Sequence, residues 1–164
     1  MNGFEPGLLD KLFDDDWRGP ASPVLRHLSL EEVKNMVARD LESLLNTRMV
    51  FDDAKLAAFP ECRRSVMTYG LSDFSGLSLA SHYDRSFICR SLEQAIARHE
   101  SRLRDVAVTL EVDGQTSTNM LYFGITALLV LPELAEPVNF DAMLQPTTLQ
   151  YSITRGTGKS RFPA

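Results

Sequence analysis

The chain has 164 residues, of which 44% are hydrophobic and 24% charged, and its formal net charge is −5. These values fit one globular domain, and the negative charge argues against a general nucleic-acid-binding protein, which needs a basic face to displace phosphate counterions. No apolar run reaches the ~18 residues that span a bilayer, and the acidic start lacks a signal-peptide pattern, so we expect a cytoplasmic protein with protein partners and no direct membrane insertion.

Residues 1–28 are predicted to form an N-terminal arm. They hold a short amphipathic patch, the acidic run Asp14–Asp16 and several helix breakers, which is too little apolar surface for a core of their own. The arm should dock on the rest of the chain or wait for a partner. A single domain is predicted over 29–155, followed by a flexible tail over 156–164.

The first helix is predicted over 30–47. Ser29 and Glu32 have the spacing of a capping box, in which each side chain satisfies a backbone N–H group of the other residue. Apolar residues recur at three- and four-residue steps and form one stripe: Val33, Val37, Leu41, Leu44 and Leu45. The following stretch, 49–84, is predicted to be irregular, with short helical pieces near 61–68, and a loop of this length often has a binding role.

The second half of the chain is predicted to contain a helix over about 85–100 and then an antiparallel meander. Apolar residues alternate with polar ones along each predicted strand, which is typical of a half-buried sheet. The predicted elements are strands at 106–112, 118–131 and 147–155, a hairpin turn at Asp113-Gly114, and a loop that contains Pro132 and Pro137. The sequence therefore predicts an α+β fold, in which the arm and two main helices pack on a small antiparallel β-sheet of three to four strands.

The residues most often used in metal sites, catalysis and nucleotide binding do not form a recognisable pattern. Cys62 and Cys89 lack CxxC spacing and are expected to be reduced, partly buried thiols, and the three histidines have no zinc-ligand spacing. The stretch GTGKS at 156–160 lacks the first glycine and the following helix of a phosphate-binding loop. We predict no metal and no cofactor.

Acidic pairs leave one enzymatic alternative open. A glycosidase needs two carboxylates about 5–9 Å apart, and the candidates by residue type are Asp14–Asp16, Glu31-Glu32 and Asp52-Asp53. Adjacent acidic residues are more often solvated surface or helix N-terminal charge. A peptidoglycan-cleaving, lysozyme-like hydrolase is therefore the alternative, and a protein that is not an enzyme is the main prediction.

Glu100 and Arg102 lie two residues apart, where the second predicted helix gives way to a strand. An exposed ion pair at this point would contribute at most ~1 kcal/mol to folding. A pair that a partner buries matters more, since truncating one member of a buried interfacial pair costs ~2–5 kcal/mol. The residues alone leave open whether the pair is an internal staple or a handle for a partner.

Several stretches together resemble the TssE family, the baseplate subunit of bacterial type VI secretion systems, and the related wedge protein of contractile phage baseplates. The most specific are VARDLESLLNTR at 37–48 and RSVMTYGLSDFSG at 64–76. The family's N-terminal entry is similar to LLDKL at 8–12. Its closing strands are similar to LYFGITALL at 121–129 and VNFDAML at 138–144. LEQAIARHESRL at 92–103 matches the position of the family's Glu-Pro-Arg triplet, with Ser101 in place of the proline.

The resemblance implies a structural protein that joins a wedge of TssF, TssG and TssK and contacts the contractile sheath, TssB/TssC. It would couple baseplate assembly to sheath polymerisation at the cytoplasmic face of the inner membrane. By the same resemblance, Glu100 and Arg102 hold the helix-to-strand joint and engage a wedge partner, and Asn46 and Arg48 of the helix signature are predicted to bind a partner. The sheath is expected to pair a strand with an exposed edge of the sheet.

Overall fold

The computed structural model describes residues 29–51, 55–56, 58–74, 76–78, 81–111, 120–132, 134–145 and 147–156. The predicted arm over 1–28, the Asp113-Gly114 turn and all of the predicted tail after Gly156 lie outside these ranges. The chain divides into two compact units, Met1–Val37 and Ala38–Ala164, with the boundary inside the first helix. The predicted domain limits at 29 and 155 stay a prediction.

The described chain contains two α-helices, two short 3-10 helices and four strands, so the predicted α+β fold is confirmed. The helices are α1 (Leu30–Asn46) and α2 (His82–His99), and the 3-10 helices are Pro60–Arg64 and Val66–Thr68. The strands are β1 (Leu103–Glu111), β2 (Leu121–Leu131), β3 (Leu134–Gln145) and β4 (Gln150–Arg155). Within these ranges no helix is both long enough and apolar enough to cross a membrane.

The described part of the first unit contains the predicted capping box at the start of α1. The Ser29 backbone N–H donates to Glu32 Oε2 at 2.8 Å, and the Glu32 N–H donates to Ser29 Oγ at 3.3 Å. These bonds satisfy backbone donors that have no partner inside the helix. The side chains of Val33 and Val37 are buried, as the predicted stripe requires.

In the second unit, the four strands form one antiparallel meander in the order β1-β2-β3-β4. One face of the sheet carries buried side chains at every second position, because successive side chains of a strand point to opposite faces. In β2 these side chains are Phe123, Ile125, Ala127 and Leu129. The buried side chains of α2 are Ile88, Leu92, Ala95 and Ile96. Burying each large side chain of this set contributes about 1.5–3 kcal/mol, so this one-sided core holds the sheet together.

The sequence-based prediction of a loop that contains Pro132 and Pro137 is wrong for Pro137, which belongs to β3, whereas Pro132 lies in the turn after β2. Pro137 pairs with Leu128 of β2. A proline normally interrupts an inner strand because it has no N–H to donate. Here β4 pairs with β3 only from Phe140 onward, so Pro137 lies where β3 is locally an edge and the missing donor costs no ladder bond.

After α1, the chain is held against residues 70–71 by a short parallel bridge. The Leu71 N–H donates to Thr47 O, and the Met49 N–H donates to Leu71 O, both at 2.9 Å. Gly70 has a φ of +114°, a backbone conformation that side chains rarely allow. A Cβ atom at this position would lie 2.5 Å from Thr47 O, so glycine is required for the two segments to approach.

Gly70→Ala is expected to lower the free energy of unfolding by about 1–3 kcal/mol, the cost of a residue held in a disfavoured backbone region. Gly76→Ala is the matched control, since a Cβ there meets nothing within 4 Å, and it should change stability by less than about 0.5 kcal/mol. Urea unfolding followed by circular dichroism measures both. Equal effects of the two substitutions would contradict the assignment.

Candidate partner-binding site

The site is built at the joint where α2 ends and β1 begins. Glu100 is the first residue outside the helix, with φ −109° and ψ 89°, and its N–H still donates to Ile96 O at 2.8 Å. Its carbonyl accepts a bond from the Leu103 N–H at 3.2 Å, which closes a turn through Ser101 and Arg102. A proline in place of Ser101 would favour a non-helical backbone at Glu100. Here the turn gives Glu100 a non-helical backbone with serine at position 101, so the helix ends at the same residue.

The turn brings the Glu100 carboxylate onto the Arg102 guanidinium. Arg102 Nε donates to Glu100 Oε1 at 2.8 Å, and Arg102 Nη2 donates to Glu100 Oε2 at 2.5 Å. The backbone N–H of Arg102 also donates to Oε1, at 3.1 Å. Glu100 is only 7% exposed, and a buried charge is tolerated only when it is paired and hydrogen-bonded in this way.

Asp40 of α1 is the third member of this cluster. Arg102 Nη2 donates to Asp40 Oδ2 at 2.5 Å, which links α1 to the joint across 62 residues of sequence. The cluster of Asp40, Glu100 and Arg102 is called the joint cluster below. Sequence reasoning missed Asp40, because nothing in the spacing of residues shows which helix face meets a distant turn.

The charges of the joint cluster raise the pKa of Arg102, one of its members, and of the neighbouring Tyr69. Burial lowers the pKa of Arg102, but the hydrogen bonds and charges of Glu100 and then Asp40 outweigh it, so the net pKa lies above the ordinary value. Burial raises the pKa of Tyr69, and the charges of Asp40 and Glu100 add to that increase. The guanidinium therefore stays charged, and Tyr69 keeps its proton at neutral pH.

The cluster has a buried end and a surface end. The side chain of Glu100 is 8% exposed, whereas those of Arg102 and Asp40 are 26% and 32% exposed. The buried end acts as an internal staple between the end of α2, the start of β1 and α1. The surface end leaves one carboxylate and part of the guanidinium in contact with solvent, where a second protein could reach them.

Asn46 and Arg48, the other predicted site residues, lie beside β4 instead. The Asn46 side chain donates to Tyr151 O and accepts from the Tyr151 N–H, both at 2.8 Å. Arg48 is exposed and lines an apolar pocket of about 200 Å³ together with Tyr151 and Phe74. Burial raises the pKa of Tyr151 to about 12, and the charge of Arg48 acts in the opposite direction.

His99, the last residue of α2, is held by a polar contact close to the joint cluster. Its Nε2 lies 2.8 Å from Thr68 O and 3.3 Å from Thr68 Oγ1. A carbonyl oxygen can only accept, so Nε2 carries the proton of the neutral ring. The Tyr69 ring makes an edge contact with His99, with the ring centroids 5.4 Å apart.

Within the described ranges, no group of three or more His, Cys, Asp or Glu side chains is arranged to hold a metal ion. Cys62 and Cys89 are both free thiols and half-buried, as the sequence predicts. Burial raises the pKa of Cys89, which disfavours the thiolate that a nucleophile or a metal ligand needs.

Residues 31–132 match the family model of the baseplate wedge protein gp25. The match covers more than half of the chain, and the chain belongs to this family. The family predicted from the sequence motifs is therefore confirmed.

Among solved structures, the chain is similar to one described as "The baseplate complex from the type VI secretion system". The two are 18% identical with a TM-score of 0.48, over 70% of this chain and 96% of that one. The comparison with curated proteins returned no match.

Arg102→Ala is expected to lower the free energy of unfolding by about 3 kcal/mol, because it leaves the buried Glu100 carboxylate without its counterion. Asp40→Ala should cost about 1 kcal/mol, since the Glu100–Arg102 pair remains intact and Asp40 is partly solvated. Chemical denaturation of both variants at neutral pH is the measurement. If Asp40→Ala lowers the free energy of unfolding more than Arg102→Ala does, the stability of the cluster depends on the contact with α1 rather than on the Glu100–Arg102 pair.

Titration of His99 is expected to lower the free energy of unfolding in mild acid. Burial lowers its pKa from the ordinary 6.5, opposed by the Thr68 carbonyl and reinforced by the charge of Arg98. The folded state therefore favours the neutral ring, so the stabilisation is complete above pH 6.5 and is lost as the pH falls below that value.

Urea unfolding of the parent and of His99→Gln at pH 7.5 and pH 5.5 tests this dependence. Glutamine keeps an N–H donor for Thr68 but does not titrate, so the variant should lose less stability between the two pH values. An identical loss in both proteins would assign the pH dependence to other groups.

Proposed function

We propose that the chain is a structural subunit of a type VI secretion baseplate, which binds the wedge subunits TssF, TssG and TssK and the contractile sheath TssB/TssC. In this role it couples assembly of the baseplate to polymerisation of the sheath, and it acts by binding rather than by catalysis. The assembled baseplate would lie at the cytoplasmic face of the inner membrane.

The observation that carries the proposal is the family match over residues 31–132. This range includes α2, β1, β2 and all of α1 except Leu30, and therefore every residue of the joint cluster. The sequence motifs at 37–48 and 64–76, which resemble the TssE family, also lie inside it. Family and motifs together favour a type VI baseplate over other contractile particles.

The joint cluster supports a wedge contact through its surface end. It contains two carboxylates and one guanidinium, so its formal charge is −1 when all three are ionised. Asp40 Oδ2 accepts a hydrogen bond from Arg102 Nη2, and the Asp40 side chain is 32% exposed. A wedge surface that carries a lysine or arginine would complement this charge, and removing water from such a pair increases the effect of each charge.

Asn46 and Arg48 support a second contact, separate from the joint cluster. Both side chains are exposed, and both lie beside β4 at the end of α1. We assign this side of the protein to the sheath, since an outer strand can extend its sheet by pairing with an extended segment.

Co-purification with TssF and TssG tests the wedge contact. Asp40→Ala should weaken capture by at least about ten-fold, which corresponds to ~1.4 kcal/mol, while the isolated variant stays folded by circular dichroism. Arg90→Ala is the control, because it removes one exposed charge from α2, where the Arg90 Nε donates to Ser86 O of the same helix. The control should bind like the parent protein.

Failure of the parent chain to bind soluble, folded TssF and TssG would contradict the proposal. A turbidity assay on purified cell wall provides an independent check. Lysis that disappears on replacing one acidic residue, with the fold intact, would favour the peptidoglycan-cleaving alternative instead.

A further inference from the structure

The pocket of about 200 Å³ beside Arg48 lies wholly within the second unit. Its inner wall consists of four buried side chains, one each from α2, β2, β3 and β4. In that order they are Ile88, Phe123, Leu144 and Tyr151. Three of the four are purely apolar, so the wall attracts an apolar group and holds little to orient it.

The volume of the pocket limits the size of a ligand. An engineered apolar cavity of ~150 Å³ can hold one benzene molecule, whereas sites for drug-sized molecules usually measure ~300–1,000 Å³. The pocket lies between these sizes. It therefore fits a single ring or a short branched chain that carries one small polar group.

The hydroxyl of Tyr151 is the polar atom of the inner wall, and it needs a hydrogen-bond partner. Tyr151 is only 5% exposed. Its backbone N–H and carbonyl bond to Asn46, but within the described ranges no residue hydrogen-bonds to its hydroxyl. Buried hydroxyl groups are normally paired, because an unpaired one has lost its bonds to water. This hydroxyl can therefore donate to a ligand in the pocket.

The charge near this hydroxyl is positive. Burial raises the pKa of Tyr151 to about 12, so the hydroxyl keeps its proton at neutral pH. The charge of Arg48 acts in the opposite direction, which places the guanidinium close enough to influence the hydroxyl. A carboxylate accepts hydrogen bonds from both kinds of donor, and its bond to a guanidinium is strengthened by charge. Asp73 also lines the pocket and is exposed, and its charge opposes that of Arg48.

The open side of the pocket carries an apolar side chain in a strained backbone position. Leu149 is 44% exposed and has a φ of +55°, a region that bulky residues rarely adopt. The Leu149 N–H donates to Gln145 O at 2.8 Å, which closes the turn between β3 and β4. Strained backbone often occurs at ligand sites, and a ligand in the pocket would cover this leucine.

We propose that the pocket binds a small carboxylic acid with a compact apolar body, such as phenylacetate. The ring packs against Ile88, Phe123 and Leu144. The carboxylate accepts hydrogen bonds from the Tyr151 hydroxyl and the Arg48 guanidinium. This inference goes beyond the proposed function, since binding a small acid requires no other baseplate protein.

The first test is a titration with phenylacetate, followed by NMR of the methyl groups of the parent chain. The shifts should saturate at millimolar concentrations and be largest at Ile88, Leu144 and Leu149. Toluene is the second probe, because it fills the apolar part of the pocket and has no carboxylate. Tyr151→Phe keeps the ring and removes the hydroxyl. It should weaken phenylacetate binding about ten-fold and toluene binding by less than about two-fold.

Three further variants test the charges. Arg48→Gln should weaken phenylacetate binding about three-fold, since an exposed guanidinium is partly screened by water. Arg104→Gln is the matched control and should bind like the parent, because Arg104 is an exposed arginine of β1 outside the pocket lining. Asp73→Asn removes a carboxylate that repels the ligand, so binding should stay as tight as in the parent or become tighter.

The inference is overturned if phenylacetate does not saturate the parent chain, or if Tyr151→Phe leaves its binding unchanged. Equal weakening of phenylacetate and toluene would assign the loss to the shape of the pocket and would also overturn it. A short peptide that ends in phenylalanine is the third probe, and tighter binding of this peptide than of phenylacetate would replace the small acid with a protein C terminus. If Tyr151→Phe does not fold, Arg48→Gln carries the test, because it alters an exposed side chain.

Discussion

The ion pair between Glu100 and Arg102 is the constraint on which the rest of the second unit depends. The carboxylate is buried within a turn of two residues, so the charge must be neutralised at that point. The same guanidinium also holds Asp40. One cation therefore fixes where α2 stops, where β1 starts and how α1 lies against the joint.

This arrangement combines the two possibilities that the residues alone left open. Glu100 is inaccessible and acts within the chain, whereas Asp40 and part of Arg102 face solvent. An internal staple can therefore present its remaining charge to a second protein without being taken apart. A binding site built on groups that already support the fold is held in place before the partner arrives, which reduces the ordering cost of association.

Local periodicity made most of the fold predictable, and long-range pairing explains what was missed. The stripe of α1, the stripe of α2 and the alternation in β2 each lie within one element, so the sequence carries them directly. The sequence does not predict β3, because a proline such as Pro137 is typical of a loop, although the buried residues Val138, Phe140, Ala142 and Leu144 alternate after it. Asp40 and the bonds of Asn46 and Glu42 to β4 join residues 62 to 111 positions apart, and no local pattern encodes such pairs.

Ser101 has a consequence for how the joint forms. A proline at this position would make the preceding bond a tertiary amide, which is ~10–30% cis in unfolded chains and isomerises over tens to hundreds of seconds. The Glu100–Ser101 bond is an ordinary amide and enters folding almost entirely trans. The helix end is set here by the turn and the buried ion pair rather than by ring geometry, so the joint can form without waiting for an isomerisation step.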